Sequence, residues 1–268
     1  MTDVSVPNSL AAGGFRVGSV LNRAASVLSR HFLIFTVVSV AANLPLILVW
    51  SHTEPVARAM GRAFGRALPP VAGYDILIFS VGAVGFFLLN TVLSQALIVH
   101  AAFRAMSARP INISESLTVG LTRFIPILLL SLLMGIFVFA GSVVLFVPAL
   151  VLMTVWFVGT PACIVERLGP WSSLERSAEL TKGNRWKVFG LLALINVAGF
   201  FVSYVISLLL AIAPFGDVVL RVFDFILNLL ANGLWGAYYT IAAVVAYHDL
   251  RVSKEGRIDI EQIAAVFD

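Results

Sequence analysis

Ionised side chains are missing from six long stretches of this chain. The stretches lie near residues 32–50, 76–103, 124–147, 148–165, 188–213 and 218–247, and only the last holds charges, Arg221 and Asp224. Each comes close to or exceeds the ~20 apolar residues that carry a helix across a bilayer core. Inside lipid a segment must satisfy its backbone hydrogen bonds internally, so runs of this length fold as helices. The pattern predicts an all-α polytopic membrane protein, with six transmembrane helices paired as three hairpins.

Composition agrees. Of the 268 residues, 60% are hydrophobic and 12% charged, against about 25% charged in a soluble domain. Six spans take up roughly 120 residues and leave short connectors. The expected organisation is a disordered segment over 1–14, one membrane domain over 15–247, and a cytoplasmic tail over 248–268 with a short amphipathic helix. The first run begins at Phe32, behind a long leader, and exceeds the ~7–15 residues of a signal-peptide core. It therefore reads as a span, with Trp50 at its end as an interfacial aromatic. Cys163 is the one cysteine. It excludes an internal disulfide and reads as a small buried apolar residue.

The cations set an orientation. Fourteen of the eighteen Lys and Arg fall in the leader, the gap between the second and third runs, the gap between the fourth and fifth, and the tail. Four, Arg58, Arg62, Arg66 and Arg221, fall on the other side. Positive residues stay inside, so both termini and the two basic gaps are expected in the cytoplasm. The net charge of +4 is juxtamembrane, which points to anionic lipid headgroups and not to nucleic acid. Arg58, Arg62 and Arg66, at spacing four, fit either a solvated loop or a short helix on the outer surface.

An internal repeat accompanies the spans. Phe15–His31 carries Arg16, Ser19, Arg23, Ser26 and Arg30 on one helical stripe, opposite Val17, Val20, Leu21, Ala24, Val27 and Leu28. Ser114–Phe124 and Trp171–Trp186 are similar amphipathic segments. Each of the three precedes an odd-numbered span, and they align on Leu21, Leu117 and Leu174. The third and fourth runs form a short hairpin expected to turn at Val147-Pro148, with proline in the first turn of the next helix.

Between Pro148 and Lys187 the sequence contains TPACIVERLGPWSSLERSAELTKGNRWK, and the tail reads YHDLRVSKEGRIDIEQIAAVFD. These stretches resemble the membrane domain found beside some glycerophosphoryl diester phosphodiesterases of bacteria. The catalytic part of those enzymes resembles a TIM barrel, which takes about 250 residues of its own, and uses a His-Arg motif and a Glu-x-Asp metal pair. Here His31, His52, His100 and His248 are not followed by Arg, and no Glu-x-Asp occurs. The resemblance therefore implies the membrane part without the catalyst. On the residues alone, Ser172 or Ser173 can cap the third surface helix, Lys182 and Gly183 suit its end, and Arg185, Trp186 and Lys187 anchor the next span at the headgroups. Arg16, Arg23, Arg30, Glu166, Arg176, Lys182, Arg185, Trp186 and Lys187 are the candidate contacts to the cytoplasmic surface and lipid headgroups.

No Walker loop, dinucleotide fingerprint, zinc motif or cysteine pair occurs, so no cofactor or metal is expected. The strongest polar constellation lies on the sixth run. Asp217, Arg221, Asp224, Asn228, Asn232, Trp235 and Tyr239 step by three or four residues, which keeps them on one helix face. Ser39 and Asn43, Asn90 and Ser94, and Asn196, Gly199 and Ser203 supply polar faces on other spans. Two readings stay open: one wall of a polar cavity, or hydrogen bonds that hold the bundle together. In the tail, Asp259 can cap a helix carrying Ile260, Ile263, Val266 and Phe267, which would dock on this protein, on lipid or on a partner. The expectation is a non-enzymatic inner-membrane accessory or scaffold protein, with the bilayer and a membrane or cytoplasmic protein as partners. A small transporter or lipid- or ion-handling protein is the alternative.

Overall fold

The computed structural model describes residues 15–40, 92–107, 112–144, 146–212 and 217–255. The chain is all-α. In order, the described helices are α1 (Val17–Arg30), α2 (Phe32–Val40), α3 (Val92–Met106), α4 (Ile113–Thr122), α5 (Phe124–Val144), α6 (Phe146–Val155), α7 (Gly159–Val165), α8 (Pro170–Thr181), α9 (Arg185–Ala211) and α10 (Asp217–Glu255).

Among the described residues, four stretches are long and apolar enough to cross a membrane: α5, α6 with α7 (Val147–Val165), α9, and α10 from Ile226. A fifth is possible if α1 and α2 count as one bent span. Their chemistry favours a different division of that pair. The 87° bend at His31 separates the amphipathic α1 from the apolar α2, where Phe32 and Leu33 are exposed. Helices α2 and α3 are the described parts of the first and second runs. The rest of those runs, Asn43, Asn90, the loop with Arg58, Arg62 and Arg66, and the tail with Asp259 lie outside the described residues.

Helices α5 and α9 expose large apolar side chains along their length, among them Ile125, Phe139, Val143, Val197, Phe200 and Phe201. Exposed apolar surface on this scale is unfavourable in water and neutral in lipid. The core lies elsewhere. Every residue of α10 from Ile241 to Leu250 is buried, as are most of α7 and residues 98–103 of α3. The protein is thus packed most tightly at one end, where the amphipathic helices gather. Small residues bring the helices close. A Cβ on Gly141 of α5 would stand 3.2 Å from the Ala149 nitrogen of α6, and one on Gly233 of α10 would stand 3.4 Å from Ser39 of α2.

The three amphipathic segments are α1, α4 and α8, and they share a buried register. Aligning Leu21, Leu117 and Leu174 also aligns Val20, Ser116 and Ser173, and four residues on, Ala24, Gly120 and Ser177. All six are buried. Two small or short residues at i and i+4 let each helix sit down on the bundle. Leu117 itself is exposed, so the register is carried by its neighbours.

Several boundaries differ from the sequence reading, each for a local reason. Helix α8 starts at Pro170 behind Gly169, and neither Ser172 nor Ser173 caps it. Proline is pre-set for the first helical position and has no N–H to orphan. Ser173 instead donates to the Gly169 carbonyl (2.7 Å). Helix α8 ends at Thr181, with Lys182 as its cap and Gly183 at φ +90°, where the sequence reading places its end. Helix α4 is capped by Asn112, whose Oδ1 accepts from the Ser114 and Glu115 nitrogens (3.1 and 3.5 Å). The α5–α6 hairpin turns ahead of Val147-Pro148, since α6 already begins at Phe146, which puts Pro148 in its first turn. Helix α10 runs eight residues beyond 247, because no breaker occurs before Gly256 and Arg251 pairs with Glu255 at i+4 (2.9 Å). The proposed tail domain therefore begins inside a helix.

Candidate functional site

Each of the three amphipathic helices is fastened to the packed end of the bundle by an ion pair. Arg23 of α1 pairs with Asp249 of α10. Glu115 of α4 accepts from Arg104 of α3 (2.6 Å). Arg176 of α8 donates from Nε to both oxygens of Glu166, just past α7 (3.0 and 2.9 Å). In two of the three units the surface helix follows the helix it pairs with. In the first, α1 reaches α10, the last of the described helices, so the set closes on itself.

The third pair is the centre of a larger cluster. Arg176 also donates to Glu255 and lies 3.5 Å from Glu179. Tyr247, fully buried, donates to Glu166 (2.6 Å), accepts from Arg251 (3.1 Å) and meets Phe103 edge-on with ring centroids 6.0 Å apart. Lys254 donates to the Glu179 carbonyl. Burial alone would lower the Arg176 guanidinium, but hydrogen bonds to the Glu255 and Glu166 carboxylates outweigh it and hold the group above its ordinary value. Between α3 and α4, buried His100 shares a 2.7 Å hydrogen bond with Ser116.

The candidate headgroup contacts therefore fall into two sets. Arg23, Glu166 and Arg176 are engaged with other helices. Arg16, Arg30, Lys182, Arg185, Trp186 and Lys187 are exposed, and those that are cationic form no ion pair among the described residues. Asp249, Tyr247, Arg251 and Glu255 were not singled out from the sequence. Their spacing of four, Tyr247–Arg251–Glu255, signals a shared face once the helix is known to continue past 247.

The polar stripe of α10 divides along its length. Asp217 and Arg221 occupy the first turns of α10, and their side chains lie outside the described residues. The Asn228 amide donates to the Asp224 side chain (2.7 Å) and carbonyl (3.0 Å), and the Asn232 amide donates to the Asn228 carbonyl (2.8 Å). Among the described residues, these amides bond along their own helix and not across to another. Asn232 also borders a groove of about 210 Å³ between α9 and α10, with Asn196, Gly199, Ser203 and Trp235; Asn228 is outside it. Tyr239 turns away to meet Phe157 edge-on at 5.5 Å. Among the described residues, no three His, Cys, Asp or Glu side chains stand together as a metal site. No family model matches the chain, and no curated protein or solved structure matches it either.

Proposed function

We propose that this chain is a non-enzymatic integral protein of a bacterial inner membrane, with both termini cytoplasmic, acting as an accessory or scaffold that organises lipid or a membrane partner. One observation carries the reading. The three amphipathic helices are pinned by ion pairs to the packed end of the bundle, while an outer set of cations is left exposed. Such an arrangement offers a rigid, basic, helix-covered face to headgroups or to an acidic partner. The resemblance of residues 148–187 and the tail to the membrane domain beside glycerophosphoryl diester phosphodiesterases fits a partner that leaves catalysis to another chain.

Isolation of the full-length protein from its native membranes in mild detergent tests this. The expected result is a stoichiometric protein partner or an enriched lipid class, and loss of the protein partner when residues 256–268 are deleted. A second reading, a small transporter, has the polar groove between α9 and α10 in its favour. Solute movement in proteoliposomes that is lost in the Asn196→Leu, Asn232→Leu double variant would replace the scaffold reading with that one.

A further inference from the structure

We infer that the groove between α6 and α9 is a binding site for one anionic glycerophospholipid, with an acyl chain along α6 and the phosphate at the α8–α9 corner. The inference rests on the reading of the chain as a membrane protein. The groove has a volume of about 360 Å³, within the range of ligand clefts. Leu150, Val151 and Val155 of α6 and Phe189 of α9 form its walls. The hydroxyl of Thr154, also in the wall, donates to the Leu150 carbonyl (2.8 Å), so its proton is already engaged within α6. The wall along α6 is therefore mostly apolar.

The groove has a polar end and an apolar end. Thr181 of α8 donates to the Val155 carbonyl (3.3 Å), which fixes the α8–α9 corner beside the last turn of α6. Arg185 and Trp186, in the first turn of α9, line the groove at that corner. Val147, also in the lining, lies eight residues back along α6, about 12 Å away. That distance covers most of one leaflet's ~15 Å of hydrocarbon. The length suits an acyl chain better than a compact solute.

Charge complementarity selects an anionic head. Arg185 forms no ion pair among the described residues, and Lys182 and Lys187, both exposed, stand within a turn of it. The basic residues that hold the fold together, Arg23, Arg104 and Arg176, all have carboxylates. Trp186, 85% exposed and edge-on to Phe189 at 6.1 Å, is the type of residue that settles at headgroup level.

The test is native mass spectrometry of the full-length protein released from nanodiscs of phosphatidylcholine with a minor share of phosphatidylglycerol. One phosphatidylglycerol per chain is expected, enriched over its share by about fivefold for the Arg185 cation. Arg185→Gln should return the ratio to that of the disc. Val151→Trp, at a half-exposed position, should fill the groove and lose the bound lipid while circular dichroism stays helical. Equal enrichment in the wild type and both variants, or none in the wild type, would overturn the site. Displacement of the lipid by inorganic phosphate would assign the corner to a free anion and also overturn it. A chain that does not enter nanodiscs at all would overturn the membrane reading itself, which separates the two failures.

Discussion

Replacing Arg176 by Met should destabilise the protein through the charge it leaves behind. The Glu166 side chain is 15% exposed and Arg176 22% exposed, so the pair is mostly shielded. Removing one member of a fully buried pair costs about 3–5 kcal/mol, and an exposed pair is worth about 0–1 kcal/mol. Glu166 would keep the Tyr247 hydroxyl at 2.6 Å and Arg251 at 4.0 Å, and Glu255 would keep Arg251. The expected cost therefore falls between those limits, at about 2–3 kcal/mol. Glu166→Gln alone should cost less, because Arg176 retains Glu255 and Glu179. In the Arg176→Met, Glu166→Gln double variant no shielded carboxylate is left unpaired, because Glu179 is 71% exposed, and part of the loss should be recovered, with a coupling of about 1–2 kcal/mol. The assay is reversible unfolding of the detergent-solubilised protein on titration with dodecyl sulfate, followed by circular dichroism. A single-variant cost below about 0.5 kcal/mol, or strict additivity in the double variant, would show that the cluster is a solvated surface network and does not fasten α8.

Three further substitutions probe packing and backbone. A Cβ on Gly199 would fall on the Trp235 indole Nε1; Gly199→Ala should therefore push α9 from α10 and cost about 1–3 kcal/mol in the same unfolding assay. Gly183 ends α8 at φ +90° with open space around it. Gly183→Ala should cost about 1–2 kcal/mol from backbone conformation alone, and Gly183→Asn less, as a thermal melting series would show. Ser116→Ala removes the hydroxyl at 2.7 Å from buried His100 and should cost about 1–3 kcal/mol. Ser114→Ala, at an exposed position on the same helix, should be close to neutral.

The sequence pattern carried the helices because lipid imposes a length and a charge rule that can be counted. Helices α5, α6–α7, α9 and α10 lie where the apolar runs predict them, and the bend at His31 falls where the amphipathic pattern stops and the apolar one begins. The alignment on Leu21, Leu117 and Leu174 anticipated a shared register, although the buried positions proved to be those one residue before and three after. What the sequence could not supply was pairing at long range. Arg23 and Asp249 are 226 residues apart, and nothing in either neighbourhood names the other. Arg176 looked like a headgroup contact because it sits on a basic amphipathic helix; only the fold places Glu166 and Glu255 around it. The stripe on α10 was read as one face, which it is by spacing. Its residues nonetheless divide between hydrogen bonds along the helix, a groove with α9 and an aromatic contact, because the neighbouring helices change along its length. Capping at Gly169 was missed for a simpler reason: two serines and a proline compete at adjacent positions, and proline's fixed φ decides.

The proposed function requires the pinned, basic face to lie on the cytoplasmic side of the membrane, where the distribution of Lys and Arg puts it. Single-cysteine labelling measures it directly. In a Cys163→Ala background, Ser26→Cys on α1 and Ser172→Cys on α8 mark the helix-covered face, and Ser142→Cys marks the α5–α6 hairpin; all three serines are exposed. With a membrane-impermeant maleimide on intact cells, Ser142→Cys alone should be labelled, and the other two only after the inner face is opened. Labelling of Ser26→Cys and Ser172→Cys from outside intact cells would contradict this placement.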